Sequence, residues 1–545
     1  MKIHDMKHGI FRYFGILLLG KENLMKTFAI TIIVSLFAGI STMNSQPIIS
    51  WQKTVGGTNH EYVWKTIPTS DGGLAFVGFS ESNDGDVSGN HGGVDLWVGK
   101  LNSSGNFQWS NLFGGTGDEE GYDILQTADG GYMVVGWTAS LDGDVTGHHG
   151  TYGDDVWILK LTSTGTLTWE NCYGGTSDDN ATAIAQTQSG NFYVSGTTYS
   201  NDGDVSGNHG TNSDFWVIKI NATGTLLGQK CVGGTDFDDG INMTITSDDG
   251  CILCGSTGSS DGDAIGYHGG DDMLIAKLNS LLGIDWSKCY GGTETEECNS
   301  IVQLSDGTYA ALGYTSTQNN GDVAGHHGSQ GSDDFWLLKI TTIGTITWAK
   351  CYGGSGDDQA DGLTKTSDGG FVMCGLTNSM DGDVSGFHFA AFDPDAWVLK
   401  VDAAGIFQWQ HCCGGSGQDE SFNVFELSSG IYVVSAFTYS NDYDVSGNHG
   451  NADGWIFKIS MNTAVENISN EEHISIYPNP ASDQLTIEAM NNSTIEIMNP
   501  EGQIVRSFSF TESINTIDLN EFSAGVYTIR IRMNKGVFSK KMVKL

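Results

Sequence analysis

Residues 56–79 read GGTNHEYVWKTIPTSDGGLAFVGF, and this segment contains the pattern on which the fold prediction depends. Apolar residues alternate from Glu61 to Ile67, which is typical of a half-buried strand. The turn at residues 70–73 is Ser-Asp-Gly-Gly, whose glycines supply the positive φ that a tight hairpin needs. Three more predicted strands follow: Leu74–Phe79, Leu96–Leu101 and Phe107–Phe113.

The Gly-Gly pair recurs along the chain at regular intervals. It stands at 56–57, 114–115, 174–175, 233–234, 291–292, 353–354 and 414–415, which gives intervals of 58, 60, 59, 58, 62 and 61 residues. A period of this length accommodates four strands with their turns, which is the size of one propeller blade. The sequence therefore predicts an all-β chain with a seven-bladed β-propeller over residues 46–460.

The ends of the repeated region predict how the ring closes. The first unit is preceded by a lone strand, Ile48–Val55, which carries Trp51 where later fourth strands carry Trp109. The seventh unit contains three strands up to Ser460 and has no fourth strand of its own. We therefore expect the N-terminal strand to complete the last blade, which removes an open sheet edge.

With these motifs the chain resembles the SBBP-type seven-bladed β-propeller repeat family. The matching features are Gly-Gly-x-x-x-Asp/Glu, the Asp-Gly-Gly turn, Asp-x-Trp-Val/Ile-x-Lys-Leu, and a glycine near the end of the second strand, at Gly78, Gly136, Gly196, Gly255, Gly313 and Gly375. The resemblance implies the propeller fold and no particular reaction, because such repeats support many activities.

Charge and the N-terminal residues bear on partners and location. A net charge of −40 disfavours nucleic acid as a partner. Residues 1–45 are predicted to hold an export signal, with Lys26 before the apolar run Phe28–Ile40, and Met25 is an alternative start. No later segment is apolar and long enough to span a bilayer. We expect a monomeric mature chain that is secreted or attached at the cell surface.

Ten cysteines in an exported chain raise the question of disulfides. Five of them occupy one repeat position, at Cys172, Cys231, Cys289, Cys351 and Cys412. Equivalent positions of successive blades lie beyond bridging distance, so buried free thiols are predicted. A pair among Cys251, Cys254, Cys298, Cys374 and Cys413 stays open.

The loop between the second and third strands of each unit has the form Asp-Gly-Asp-Val-Ser-Gly-Asn-His-Gly, first seen at residues 84–92. Calcium is one interpretation, because Asp-x-Asp with further oxygen donors suits a hard cation. The alternative is that the Asp and Asn side chains cap backbone amides while the His packs against a neighbouring blade. The calcium candidates are Asp84, Asp86, Asp142, Asp144, Asp202, Asp204, Asp261, Asp263, Asp322, Asp381, Asp383, Asp442 and Asp444.

Other repeated residues have structural interpretations. Acidic pairs such as Asp118-Glu119 and Asp357-Asp358 join successive units. In a propeller these connections and the Asp-x-Asp loops lie on the same face, so we expect a ring of carboxylates there. The third-strand tryptophan, first seen at Trp97, is expected in the core rather than against a sugar. The few residues that break the repetition include His60, Trp137, Tyr443 and the run from Phe389 to Pro394, and they form no catalytic set by sequence.

After a polar linker at residues 461–473, residues 474–545 alternate as short strands, which predicts a small Ig-like β-sandwich. It contains Tyr477-Pro478-Asn479-Pro480, Gly525-Val526-Tyr527 and the closing run Lys540–Lys544, and with these motifs it resembles the type A sorting domain of the type IX secretion system. The resemblance implies a Bacteroidetes-type source, the secretion machinery and a surface sortase as partners, and release or attachment of the mature chain at the outer membrane. The sorting motif residues are Pro478, Asn479, Pro480, Gly525, Tyr527, Lys541 and Lys544.

The leading functional prediction is a non-enzymatic surface or secreted propeller that binds a glycan or protein ligand. The alternative is a secreted hydrolase or lyase that acts on polysaccharide in the propeller channel. An evenly repeated face favours binding, and one deep pocket lined by non-equivalent residues favours the enzyme.

Overall fold

The computed structural model describes residues 47–388, 393–461, 475–488, 493–499, 504–510, 514–533 and 536–545. The chain forms two compact units, Met1–Thr463 and Ala464–Leu545. The predicted export signal, most of the predicted linker and Phe389–Phe392 lie outside the described residues.

Unit 1 is built from repeated antiparallel four-stranded sheets, preceded by β1 (Pro47–Val55). Sheet 1 contains β2 (Glu61–Pro68), β3 (Leu74–Ser80), β4 (Asp95–Leu101) and β5 (Phe107–Phe113). Sheet 2 contains β6 (Glu119–Gln126), β7 (Tyr132–Thr138), β8 (Asp155–Leu161) and β9 (Leu167–Tyr173). Sheet 3 contains β10 (Asp179–Gln186), β11 (Phe192–Thr198), β12 (Asp214–Ile220) and β13 (Leu226–Val232).

The remaining sheets of unit 1 repeat this order. Sheet 4 contains β14 (Asp238–Ile245), β15 (Cys251–Thr257), β16 (Asp272–Leu278) and β17 (Ile284–Tyr290). Sheet 5 contains β18 (Glu296–Gln303), β19 (Tyr309–Thr315), β20 (Asp334–Ile340) and β21 (Ile346–Tyr352). Sheet 6 contains β22 (Asp358–Lys365), β23 (Phe371–Thr377), β24 (Asp395–Val401) and β25 (Phe407–Cys413). Sheet 7 contains β26 (Asp419–Ser428), β27 (Ile431–Thr438), β28 (Asp453–Met461) and β1.

Contacts between the first strands link the sheets in sequence. The first strand of each sheet contacts the first strand of the next, and β26 also contacts β2. Repeated four-stranded sheets joined in this way are consistent with a β-propeller.

Pairing of β1 with β28 confirms the predicted completion of the last sheet. The register runs from Pro47 opposite Met461 to Val55 opposite Gly454. The Trp455 indole N–H donates to Gln52 Oε1 at 2.9 Å, as Trp97 donates to Ser110 Oγ at 2.8 Å within sheet 1. The N-terminal strand therefore takes the place of a fourth strand in its side-chain contacts as well as its pairing.

Apolar clusters fill the spaces between successive sheets. The third-strand tryptophans at 97, 157, 216, 336, 397 and 455 are at most 2 % exposed, so their predicted place in the core is confirmed. All ten cysteines are buried and free, and the pair left open among the last five does not form.

The second-strand glycine leaves room for a neighbouring backbone. A Cβ built on Gly78 would lie 1.7 Å from the carbonyl oxygen of Tyr62. The first strand bulges directly after this point, between Val63 and Lys65. Any side chain would therefore force the two strands apart.

The described residues of unit 2 form two sheets. One contains β29 (Ser475–Tyr477), β30 (Gln484–Glu488) and β33 (Ile514–Asp518). The other contains β31 (Ser493–Met498), β32 (Ile504–Phe510), β34 (Gly525–Met533) and β35 (Gly536–Lys544). Leu485 and Ile517 from the first sheet share one buried cluster with Ile495 and Ile529 from the second.

Deletion of residues 46–56 should strongly destabilise unit 1. It removes the pairing partner of β28 and exposes the sheet edge, with an expected loss of several kcal/mol. Thermal and urea unfolding followed by circular dichroism would measure the change. Ile48→Ala is the control, because this side chain on the same strand is exposed and its removal should change stability little. An unchanged melting temperature for the deletion would contradict the role assigned to β1.

Candidate functional site

The predicted site residues lie at one end of the sheets, called here the loop end. It contains the loops between second and third strands, such as residues 81–94, and the connections between sheets, such as residues 114–118. The two meet where the Val94 N–H donates to Asp118 Oδ1 at 2.9 Å. The prediction that both classes of loop lie on one face is therefore confirmed.

The first aspartate of each Asp-x-Asp pair caps a turn. Asp84 Oδ1 accepts the Thr58 N–H at 2.8 Å, and its Oδ2 accepts the Thr58 hydroxyl at 3.0 Å. The same N–H bond, at 2.7–2.8 Å, is accepted by Asp142, Asp202, Asp261, Asp381 and Asp442. Capping, the structural alternative to calcium binding, is confirmed for these residues.

The loop histidine joins one sheet to the next. His149 Nδ1 lies 2.7 Å from Asp155 Oδ2 in its own sheet, and its Nε2 lies 3.7 Å from Asp204 Oδ2 in the following sheet. The Nδ1 contact, at 2.6–2.8 Å, recurs in the pairs His91–Asp95, His209–Asp214, His268–Asp272, His327–Asp334, His388–Asp395 and His449–Asp453. This packing against a neighbouring sheet, which one interpretation of the sequence predicted, is found for His149, His209, His268, His327 and His388.

The expected ring of carboxylates is wrong for half of the acids in the pairs between sheets. One acid of each pair between sheets begins the next first strand and is fully buried: Glu119, Asp179, Asp238, Glu296, Asp358 and Asp419. Asp358 Oδ2 accepts the Gly354 N–H at 2.8 Å and the Ser379 hydroxyl at 2.8 Å. Because these acids hold the Gly-Gly turn, they offer nothing to a ligand in solvent.

The aspartate that begins each third strand is a residue whose role the sequence analysis missed. Asp95, Asp155, Asp214, Asp272, Asp334, Asp395 and Asp453 are at most about 1 % exposed. Within the described part of the chain, the Oδ1 atom of each is buried without a hydrogen-bond partner. Its fixed place before the third-strand tryptophan was the signal that could have identified it.

Burial shifts the ionisation of these acids. It raises the pKa of Asp358 and Asp419 to about 7, although hydrogen bonds from Thr, Gly and Ser act in the opposite direction. It raises the pKa of Asp179, Asp214 and Asp453 to about 6. Desolvation is the main cause in each case, because a charged carboxylate loses its hydration inside the protein.

The calcium candidates do not converge in the described structure. The first aspartate of a pair faces its own capped turn, whereas the second, such as Asp204, faces the histidine of the preceding sheet. Among the described residues, no group of three or more His, Cys, Asp or Glu side chains is arranged to hold a metal ion.

The first strands break the repetition in the side chains that contact one another between sheets. Tyr62 stacks on Phe437 with ring centres 4.1 Å apart, and Trp64 lies 5.3 Å from Tyr122 and 4.3 Å from Phe422. These aromatic residues come from sheets 7, 1 and 2.

Carboxylates occupy other positions on these strands. Glu297 accepts the Tyr314 hydroxyl at 2.7 Å, and Glu120 accepts the Tyr122 hydroxyl at 2.8 Å. Burial raises the pKa of Glu120 and Glu297, and also that of Asp239, Asp361 and Glu420.

The residues singled out as irregular are spread over the loop end. His60 Nδ1 lies 3.3 Å from the Tyr439 hydroxyl. Tyr443 has a φ of 51° where other copies have glycine, and its ring centre lies 5.2 Å from that of His388. Trp137 is half-buried on β7.

The sorting motif residues come together in unit 2. Asn479 Nδ2 donates to the Lys541 carbonyl at 2.7 Å, and Asn479 Oδ1 accepts the Val543 N–H at 2.9 Å. On the neighbouring strand, Gly525 pairs with Lys544 and Tyr527 with Met542. The segments quoted from the sequence are thus neighbours in space.

The fold and site define an all-β protein of repeated sheets with a separate C-terminal unit. Residues 475–545 match the family model described as a secretion system C-terminal sorting domain. This match confirms the predicted sorting domain and indicates a substrate of the type IX secretion system, exported to the cell surface or secreted. No helix among the described residues is long and apolar enough to cross a membrane.

Comparison with known proteins gives three further similarities. The regulatory protein FlaEY of Caulobacter vibrioides is 23 % identical over 435 residues, which are 71 % of this chain and 44 % of that protein. This chain thus spans less than half the length of that relative. PorZ, a surface component of the type IX secretion system of Porphyromonas gingivalis, is 10 % identical with a TM-score of 0.31, over 91 % of this chain and 75 % of PorZ. The Pan2 WD40 domain of Neurospora crassa is 9 % identical with a TM-score of 0.41, over 78 % of this chain and 98 % of that domain.

Stability should rise as the pH falls from 8 to 5. A group whose folded pKa lies above its unfolded value binds more protons in the folded state, so the free energy of unfolding increases as the pH falls through the folded pKa. For Asp358 and Asp419 this window runs from about pH 7 down to about 4, with a slope of up to about 1.4 kcal/mol per pH unit for each proton. Urea unfolding at fixed pH values would measure it.

Asp358→Asn is the informative variant for this prediction. It removes one titrating group that faces Asp334 across Gly353, so the pH dependence should become shallower. Asp71→Asn is the control, because the Thr69 hydroxyl and the Gly73 N–H lower the pKa of Asp71 to about 2, outside the window. Stability that falls between pH 8 and 5 would contradict the prediction.

Proposed function

We propose that this chain is a non-enzymatic binding or scaffold protein, exported by the type IX secretion system and presented at the cell surface or released. In this proposal unit 1 is a seven-bladed β-propeller of the SBBP type, and unit 2 is an Ig-like sandwich. Residues 1–45 direct export from the cytoplasm of a Bacteroidetes-type cell, and a surface sortase removes unit 2. The mature monomer is then released or attached to the outer membrane.

One observation supports binding over catalysis. The capping aspartates, the histidine–aspartate pairs and the buried acids make the same contacts in sheet after sheet. A catalytic constellation needs groups with distinct roles, and it would break this repetition. The charged groups of the loop end therefore join the sheets, and their uniform contacts favour a non-enzymatic protein.

A second candidate function rests on the first strands. Their inward side chains are not equivalent, with aromatic rings near Trp64 and carboxylates such as Glu297 elsewhere. A carboxyl group whose pKa is raised by burial suits general acid chemistry on a glycosidic bond. This favours a polysaccharide-acting enzyme in the channel as the alternative.

Calcium binding by the Asp-x-Asp loops is kept as a separate proposal. If it is right, calcium should bind chelator-treated protein in isothermal titration and raise its melting temperature. Asp86→Asn should weaken uptake, whereas Asp71→Asn at the opposite end of the sheet should not. No calcium uptake, together with a melting temperature that ignores calcium, would remove the proposal.

Export and binding can be tested together in a host with a type IX system. The full chain should reach the cell surface or the medium, whereas a chain lacking residues 475–545 should accumulate inside the outer membrane. Purified unit 1 should retain surface polysaccharide or protein in pull-down without releasing reducing ends from a polysaccharide panel. External delivery of the truncated chain would contradict the export route. Degradation that Glu297→Gln abolishes would favour the enzyme instead.

A further inference from the structure

Two matching clefts lie between sheets at the end opposite the loop end, called here the hairpin end. Each has a volume of about 420 Å³, one between sheets 1 and 2 and the other between sheets 4 and 5. This volume falls within the range of small-molecule sites. Five chemically matching residues line both clefts: Asp71, Lys100, Trp109, Gln126 and Tyr132 in the first, and Asp248, Lys277, Trp286, Gln303 and Tyr309 in the second.

An indole ring forms one wall of each cleft. Trp109 and Trp286 are half-buried, unlike the third-strand tryptophans, which are enclosed. The indole N–H of Trp109 donates to the Ser163 carbonyl at 3.2 Å, and that of Trp286 donates to the Thr342 carbonyl at 3.0 Å. These bonds hold the rings by their edges, so each cleft has a fixed apolar wall.

A buried tyrosine supports the indole from the adjacent sheet. The ring centres of Trp109 and Tyr132 lie 5.7 Å apart, and those of Trp286 and Tyr309 lie 6.3 Å apart. Both pairs meet edge to face, at interplanar angles of 66° and 61°. This arrangement is a favourable one for aromatic pairs, and it makes the wall rigid.

The polar groups of each cleft carry no surplus positive charge. Lys100 Nζ lies 3.0 Å from Asp71 Oδ1 and donates to the Leu101 carbonyl at 2.9 Å. Lys277 makes the equivalent contacts with Asp248 at 2.9 Å and the Leu278 carbonyl at 2.8 Å. About half of each aspartate side chain is exposed, so these carboxylates can accept further hydrogen bonds.

We propose that each cleft binds one neutral pyranose unit of a glycan. One face of a pyranose ring carries C–H groups that suit the electron-rich face of an indole, and its hydroxyl groups can donate to a carboxylate. A neutralised lysine on a protein of net charge −40 disfavours acidic sugars. This inference rests on the proposed binding function, and it names the ligand class and the site.

Two other junctions of unit 1 lack a half-exposed indole. Between sheets 3 and 4, Gly228 stands where Trp109 stands in sheet 1, and Leu282 lies 3.3 Å from the position of its missing Cβ. There Lys219 Nζ donates instead to the Ser280 carbonyl at 2.9 Å. Between sheets 6 and 7, Trp409 is only 6 % exposed. At least two binding units per chain are therefore expected.

Isothermal titration of the purified full chain with cellohexaose, maltohexaose and mannohexaose tests the proposal, with polygalacturonate as the anionic comparison. At least one neutral glycan should bind. Trp109→Ala combined with Trp286→Ala should weaken that binding by about thirtyfold or more, because it removes the aromatic anchor. Tyr443→Ala, which removes an exposed aromatic residue at the loop end, should leave the affinity unchanged.

A second double variant tests the same clefts without removing the tryptophans. Asp71→Asn combined with Asp248→Asn keeps the size of two half-exposed side chains and should also weaken binding, because each cleft loses its carboxylate acceptor. A circular dichroism spectrum equal to that of the parent chain would show that this variant is folded. Binding that survives both double variants would overturn the cleft assignment and leave the proposed binding function standing. Preference for polygalacturonate, or no neutral glycan bound by the parent chain, would overturn it as well. Failure of the pull-down on every surface ligand would instead count against the proposed function.

Discussion

The antiparallel pairing of β1 with β28 is the interaction on which the rest of unit 1 depends. It joins residues about 400 positions apart, as in the bond from Trp455 to Gln52. Without it, sheet 7 would have three strands, and the third would present an open edge. Sheet 7 contains the N-terminal strand β1, and its first strand, β26, also contacts β2 of sheet 1. The contacts between sheets therefore form a closed circle. The other contacts between sheets join neighbours in the sequence, whereas the contacts of sheet 7 with β1 and β2 can form only when the whole repeated region is present.

Repetition also determines which groups are free for a ligand. At the loop end, the acids and histidines that look most reactive in the sequence are used between the sheets. His149 is engaged by Asp155 and faces Asp204, and Asp358 holds its own Gly-Gly turn. At the hairpin end, the repeat is less strict, and an indole such as Trp286 stays half-exposed. The charged residues of the loop end therefore stabilise the fold, whereas the hairpin end has residues suited to binding a ligand.

Much of the architecture was predictable because each strand is local and carries its own turn. The third strand predicted at Leu96–Leu101 differs from β4 by one residue, and the fourth strand predicted at Phe107–Phe113 has the bounds of β5. The lone strand before the first unit could be assigned to the last sheet, because counting strands is enough when the number per unit is constant.

The details of the site were less predictable, for a physical reason. Asp118 and Glu119 are adjacent and chemically alike, yet Asp118 is exposed and Glu119 is fully buried. Which of the two faces inward depends on where the first strand begins, and a shift of one residue exchanges their environments. The bulge between Gly121 and Asp123 adds a second change of register that alternation of residues does not reveal.

The ten free cysteines constrain how the chain folds during export. Each thiol is buried, and burial raises the pKa of Cys172, Cys254 and Cys413, which keeps these thiols from forming the reactive thiolate. That protection exists only in the folded chain, whereas compartments outside the cytoplasm favour disulfide formation. Folding and oxidation therefore compete during export, and the sheets have to assemble before the ten thiols are joined in wrong pairs.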